Sequence, residues 1–310
     1  MISTKQFSSL VDLLTFFNTE EKCHEHLANM RWNGKPVCPH CGHSEKIYKF
    51  ANTNMYKCSD CRKKFSVRIG TIFQDSHIPL QKWFAAIYLI TSHKKGISSH
   101  QLARDLGITQ KSAWFINHRL RVASTTKAFN EPLSGTVEAD ETYSGGKEGN
   151  KHKSKRTKGT QGRSTTVKTA IFGMMERGGT VKAMKVRNTK AETIQPLVVE
   201  HVVLGSNLMT DEWHSYRTLG PFYNHQFVKH NTGEYVVGNA HTNSIENFWS
   251  MFKRGQIGIY HHMSDKHMDR YLTEFSFRFN TRNMSERNRF DLLLSNVNGT
   301  RLTYEQLIAE

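Results

Sequence analysis

Four of the five cysteines fix more of this chain's architecture than any other residues. Cys38-Pro39-His40-Cys41 and Cys58-Ser59-Asp60-Cys61 are two CxxC pairs with 16 residues between them. Such pairs offer four thiolates to one tetrahedral ion, the arrangement zinc takes in closed structural sites. A secreted disulfide scaffold fits poorly. The cysteine count is odd, and the opening stretch Met1 to Phe17 is broken by Lys5, Ser8, Ser9 and Asp12 and lacks a signal-peptide layout. Because four sulfurs fill the coordination shell, the zinc is expected to be structural and catalysis must be sought elsewhere. Cys23 reads as a buried hydrophobe, and His40 and His43 as turn residues.

The rest of the chain arranges itself around that ribbon. Leu10, Val11, Leu14 and Phe17 recur at helical spacing, and Thr19 before Glu20 and Glu21 opens a second short helix. Short β-prone stretches, 47–50, 55–57 and 65–69, surround the cysteines. After Pro79 helical periodicity returns through Leu80, Trp83, Phe84, Ile87 and Ile90, and two more helices follow over 99–106 and 110–122. Beyond Pro132 come strand candidates at 136–139, 166–173, 180–186 and 208–210, with a helix over 191–203. The fold class expected is multidomain α+β: helices and zinc ribbon in 1–70, a helical unit in 71–128, and a mixed α/β domain in 129–300.

In the helical unit, a serine cap opens the helix ending at Leu106, Gly107 turns the chain, and Thr109 caps the next helix, the layout of a helix-turn-helix. That places Gln110, Lys111 and Ser112 at the front of the second helix and Asn117, His118 and Arg121 along its exposed side, where a recognition helix meets a major groove. Charge points the same way. The 43 Lys and Arg exceed the 27 Asp and Glu by 16, a balance that favours a polyanionic partner, with nucleic acid ahead of a membrane surface. No apolar run approaches the roughly 18 residues of a spanning helix, so the protein is expected to be soluble and cytoplasmic. The segment 146–163 holds seven Lys or Arg, one Glu and no large apolar residue. It cannot bury itself, and Lys151, Lys153, Lys155, Arg156 and Lys158 read as a DNA clamp that orders on binding.

Acids end two of the β-prone runs, in Val137-Glu138-Ala139-Asp140-Glu141 and in Leu208-Met209-Thr210-Asp211-Glu212. Phosphoryl chemistry with divalent metals needs carboxylates that converge from separate elements. A third acid follows on a helix, 35 residues after Asp211, where Asn243, Glu246, Ser250 and Lys253 share one face opposite Ile245, Phe248, Trp249 and Phe252. Glu138, Glu141 and Glu212 read as solvated groups or as added negative potential. No P-loop or dinucleotide glycine pattern is present.

Together, the cysteine pairs, Val137-Glu138-Ala139-Asp140-Glu141-Thr142, Thr210-Asp211, Glu246 with Lys253 seven residues on, and the tail Tyr260-His261-His262-Met263-Ser264 carry a family resemblance. The chain resembles the DDE-type transposases of bacterial insertion sequences, in the ISXO-like group with a zinc ribbon and helix-turn-helix ahead of an RNase H-like core. The resemblance implies that Asp140, Asp211 and either Glu246 or Asn243 hold catalytic Mg²⁺ or Mn²⁺, separate from the structural Zn²⁺. It implies that Lys253 and Arg254 lie beside the DNA, and that the substrates are double-stranded terminal inverted repeats and target DNA. It further implies a homodimer or higher assembly on DNA, and cleavage followed by joining of 3′ ends. Two other readings stay open: an RNase H-like nuclease without strand transfer, and a non-catalytic zinc-ribbon and helix-turn-helix regulator. Arg270, Arg278, Arg282, Arg287 and Arg289 are expected to face outward as phosphate contacts.

Overall fold

The protein is described here by a computed structural model over residues 7–51, 53–146, 148–157, 164–165, 167–211, 214–228 and 241–309. The chain divides into two compact units, one built from residues up to 125 together with those from 283 onward, the other from 126–282.

The first unit begins with α1 (Leu10–Phe16) and α2 (Glu20–Trp32), each opened by a hydroxyl cap: Ser9 Oγ accepts from the Asp12 amide, and Thr19 Oγ1 from the Lys22 amide. A three-stranded antiparallel ribbon follows, β1 (Ile47–Lys49), β2 (Met55–Cys58) and β3 (Lys64–Ser66). Trp32 closes its small core, edge-on to Tyr56 and Phe65 at centroid distances of 5.2 and 5.9 Å. Next comes α3 (Leu80–Ser92), apolar on nearly every side and correspondingly buried.

Pro79 gives α3 no side-chain cap, and Glu20, the first residue of α2, supplies one from 60 residues away. Its carboxylate accepts the amides of Leu80 and Gln81 at 2.8 and 3.2 Å, and Arg68 Nη2 donates to it at 2.7 Å. Burial pushes this carboxyl up, but the hydrogen bonds from His24, Leu80 and Gln81 and the charge of Arg68 outweigh it and bring the pKa to about 2.

The helix-turn-helix pair is α4 (Ser99–Leu106) and α5 (Gln110–Ala123). Ser98 caps the first, Thr109 the second, and Gly107 ends α4 at φ +58°, a left-handed conformation that side-chain-bearing residues resist. The last segment of the chain also packs in this unit. In α9 (Glu286–Ser295), Phe290 lies 5.2 Å from Phe7 and 5.4 Å from Phe84. In α10 (Tyr304–Ala309), Tyr304 stands edge-on to Phe115 of α5 at 5.9 Å. The third domain expected over 129–300 therefore ends earlier in the structure, at 282, because the apolar face of α9 finds its partners among the N-terminal aromatics.

In the second unit a five-stranded sheet has the order β6-β5-β4-β7-β8, with β4 (Thr136–Ser144), β5 (Thr169–Glu176), β6 (Val181–Val186), β7 (Asn207–Asp211) and β8 (Asn224–Val228). β4, β5 and β6 are an antiparallel meander; β7 and β8 run parallel to β4. The return to the sheet centre goes through α6 (Ala191–His201), the crossover a parallel pair requires. This is the RNase H-like arrangement. Val137, Ala139, Phe172 and Met174 bury on one face with Ile194 and Val198 of α6. Ile171 and Met175 bury on the other with α7 (Asn243–Gly255) and α8 (Met268–Asn280).

β4 is longer than its sequence suggests. The expected strand stopped at Ala139, but pairing with β5 continues to Ser144↔Thr169. Asp140 and Glu141 are thus inside a ladder, held there by the partner strand despite the poor β-propensity of acids. Among the described residues no helix is long and apolar enough to cross a membrane.

Candidate metal and nucleic-acid sites

The four cysteine sulfurs all lie within 4.8 Å of one another, Cys38 and Cys41 from the turn that precedes β1, Cys58 from the end of β2 and Cys61 from the turn after it. Burial works against ionisation of Cys38, but the amides of His40 and Cys41 aimed at its sulfur outweigh it and lower the thiol to about 7. A sulfur-only donor set closed on itself fits structural zinc. His43 Nε2 is engaged by the Lys46 amide and Ser59 Oγ at 3.2 and 3.3 Å, the bonding of a turn residue. Cys23 is fully buried, with burial pushing its thiol to about 12.

A second cluster forms where the end of β7 meets the middle of its parallel neighbour β4. Carboxylate oxygens of Asp140, Glu141 and Asp211 come within 4.8 Å of one another, each residue half-buried. An all-oxygen donor set of this charge suits a hard divalent cation such as Mg²⁺. Successive strand residues project to opposite faces, so Glu141 enters from the other side of β4 than Asp140. The buried Tyr216 hydroxyl steers it by donating to Glu141 Oε1. Burial first, then the charges of Glu141, Asp140 and Asp211, raise Tyr216 well above the usual phenol value, so it stays a donor. Beside Asp211, Thr210 Oγ1 lies 2.8 Å from His225 Nε2, and burial lowers that imidazole's pKa.

Of the helix-borne candidates, Asn243 and Glu246 occupy the start of α7 with exposed side chains, and Glu246 Oε1 accepts from Thr242 Oγ1 at 3.0 Å. Glu246 is not one of the three acids whose oxygens converge. Lys253, half-buried two turns on, donates to Tyr143 O at 2.9 Å. Burial, then Lys168, lower its pKa, and Asp140 partly offsets them. Arg254 is exposed.

Lys253 also borders an open trough of about 1480 Å³ that begins at Tyr143 and Ser144 of β4 and takes in Lys168, Lys185, Arg187 and His261. Lys151 of the basic insertion lines it as well. Lys153, Lys155 and Arg156 are exposed, and Lys158 lies outside the described residues. At its rim His261 takes φ +57° and ψ −42°, and the His262 amide donates across it to Tyr260 O at 2.6 Å. Such a tight turn on a non-glycine residue is strained, as residues at working sites often are.

In α5, Gln110 and Lys111 are exposed and Ser112 half-buried, at the helix N-terminus where a groove would be read. The exposed side expected for Asn117, His118 and Arg121 is corrected by the structure: all three are buried. The Asn117 amide donates to Ile97 O at 3.4 Å, and the His118 ring packs on Trp114 at 4.5 Å. The arginines expected to face outward divide similarly. Arg278 and Arg287 are buried in ion pairs with Glu274 and Asp291, whereas Arg282 is exposed.

Sequence reasoning missed two further residues. Glu138, read as solvated, is fully buried. Gly173 pairs with Asp140 across the β4–β5 ladder, and a Cβ there would stand 2.4 Å from the Trp249 ring of α7. The period-two pattern places Glu138 on the face of Asp140, but only the tertiary partners show that this face is covered.

Residues 132–280 match the family described as ISXO2-like transposase domain, and residues 18–64 match the transposase zinc-ribbon domain. A protein of Halobacterium salinarum described as an uncharacterized protein in transposable element ISH50 is 28% identical over 277 residues, covering 84% of this chain and 91% of its own. An uncharacterized transposase-like protein of Haemophilus influenzae is 28% identical over 121 residues, covering 39% of this chain and 95% of its own. A crystal structure of a pre-cleavage Mos1 transpososome aligns at a TM-score of 0.18 and 11% identity, covering 90% of this chain and 96% of that one, too weak a likeness to carry an argument.

Proposed function

Since this chain belongs to the ISXO2-like DDE transposases, we propose that it mobilises an insertion sequence by binding the terminal inverted repeats, cleaving there and joining the 3′ ends to target DNA. The observation that carries the reading is the meeting of Asp140, midway along β4, with Asp211, 71 residues later at the end of the adjacent parallel strand β7. Mg²⁺ or Mn²⁺ held by Asp140, Asp211 and an α7 residue, Glu246 or Asn243, would supply activation of the attacking oxygen and neutralisation of the leaving one. Glu141 adds charge to the same donor set, and Tyr216 holds its carboxylate in place. Lys253 and Lys168 sit where a phosphate entering from the trough would need cations, and Lys185, Arg187 and Lys151 extend that path without reading sequence. Gln110, Lys111 and Ser112 would contact the repeat in the major groove. Zinc keeps the ribbon folded. The working form would be a dimer or larger assembly that pairs two DNA ends, acting in the cytoplasm.

The test is incubation of purified protein with a labelled element end, a target plasmid and Mg²⁺. Joined products are expected; cut products alone would favour a nuclease. An Asp211→Asn protein should bind the end and leave it uncut. If it cuts normally, the carboxylate assignment fails, and if the wild type binds but never cuts, the regulator reading takes its place.

A further inference from the structure

One carboxylate of the catalytic unit is wholly out of water. Glu138 is fully buried, two residues before Asp140 on β4. Its Oε2 accepts the amides of Ser244 and Ile245 at 2.8 and 3.0 Å, and its Oε1 accepts from Arg177 Nε at 2.7 Å and Ser244 Oγ at 3.0 Å. His241 Nδ1 lies 3.2 Å from the same oxygen, and Arg177 Nη2 donates to His241 O at 2.9 Å. A carboxylate out of water persists only when donors replace its hydration, and here they come from Arg177 and from the start of α7.

The donors include the orphan amides of a helix start. Thr242 precedes α7 but gives it no side-chain cap. Glu138 therefore performs the capping, from a strand more than a hundred residues away, with its charge favourably placed against the helix dipole. That same first turn carries Asn243 and Glu246, and the strand doing the capping carries Asp140.

We propose that Glu138 is a positioning residue: it fixes the first turn of α7 to the catalytic strand and so sets where the helix-borne metal ligand stands, without touching substrate or ion. The chemistry rests on the transposase reading, whereas the capping geometry does not depend on it.

The experiment uses the full-length, zinc-loaded protein with Glu138→Ala and Glu138→Gln, each alone and combined with Glu246→Gln or Asn243→Ala. Three readouts are followed: hydrogen exchange across 243–249, Mn²⁺ affinity by electron paramagnetic resonance without DNA, and the kcat and KM of nicking. Glu138→Ala should speed exchange in the first turn of α7 while β1–β3 keep their protection, and should weaken Mn²⁺ binding about tenfold. Its kcat should fall about a hundredfold, the effect of an ångström-scale misplacement, with KM for the DNA end unmoved. Glu138→Gln keeps an acceptor for the amides and should retain more of each.

In at least one of the two ligand-removed backgrounds, substituting Glu138 should cost nothing further, because it acts through the ligand already missing. Additive losses in both backgrounds, or unchanged exchange in α7, would overturn the proposal. If Glu138→Ala fails to fold, Ser244→Ala, which removes only the hydroxyl donor, carries the same cycle with a smaller effect. A wild type that nicks no DNA end sinks the transposase reading instead, and the exchange and Mn²⁺ measurements still decide the positioning.

Discussion

The cysteine cluster and the carboxylate cluster are built on opposite plans. The four sulfurs come from two turns 16 residues apart and close on themselves, so that binding and local folding are one event. The three acids come from strands whose register is set by a sheet, so it is the long-range fold that brings them together. A local, closed site is a fastener. A dispersed, half-exposed site borrows its rigidity from the fold and keeps room for a reactant, so the two should answer differently to the same perturbation.

The largest contrast is expected on metal removal. Structural zinc contributes roughly 10–16 kcal/mol to comparable small units, so chelation or Cys58→Ser should abolish exchange protection in β1–β3 while the 126–282 sheet keeps its own. Protection lost equally in both would erase the distinction. Next, Asp140→Asn should reduce nicking by about a thousandfold, several kcal/mol of transition-state stabilisation, with a melting temperature equal to or above wild type because like charges are relieved. A large drop in melting temperature would mean the acids also hold the fold.

Gly173→Ala probes the borrowed rigidity: the added methyl meets Trp249 at 2.4 Å and should cost about 1–3 kcal/mol in denaturant unfolding, while zinc affinity is untouched. Glu20 serves as a control acid that has no metal role. Its pKa of about 2, depressed from the ordinary 4.5, contributes stability that is complete above pH 4.5 and is lost as pH falls toward 2. After allowance for solvent screening this is about 2 kcal/mol. Urea curves of wild type and Glu20→Gln should differ near neutrality and converge below pH 3; a gap that persists in acid would assign the difference to packing. The smallest effect belongs to the trough, where Lys168→Ala should lower the salt slope of DNA binding by about one and leave sequence preference alone.

How far these features are visible in the sequence follows from how local they are. Cys38, Cys41, Cys58 and Cys61 announce themselves by spacing, and Ser98, Gly107 and Thr109 mark the turn between α4 and α5 by their own backbone chemistry. The strands from β4 to β8 are legible in outline, but the extension of β4 to Ser144 depends on what β5 offers it. Asn117, His118 and Arg121 carry the residue types of a DNA-reading face, and nothing in their periodicity reveals that this face is covered. Glu138 is the hardest case, since an acid beside other acids reads as solvated until the amides of Ser244 and Ile245 are placed against it.

The return of residues 283–310 to the first unit makes the RNase H-like body an insertion within its host rather than a bead on a string. Two peptide crossings join the bodies, so a single proteolytic nick near Arg282 would leave them covalently linked. Trimming the C-terminus would remove Phe290 from the aromatic packing of the amino-terminal half, not anything from the sheet that bears the acids. Exchanging the first unit for another therefore requires two splice points, and a chimera made with one would sever a hydrophobic core.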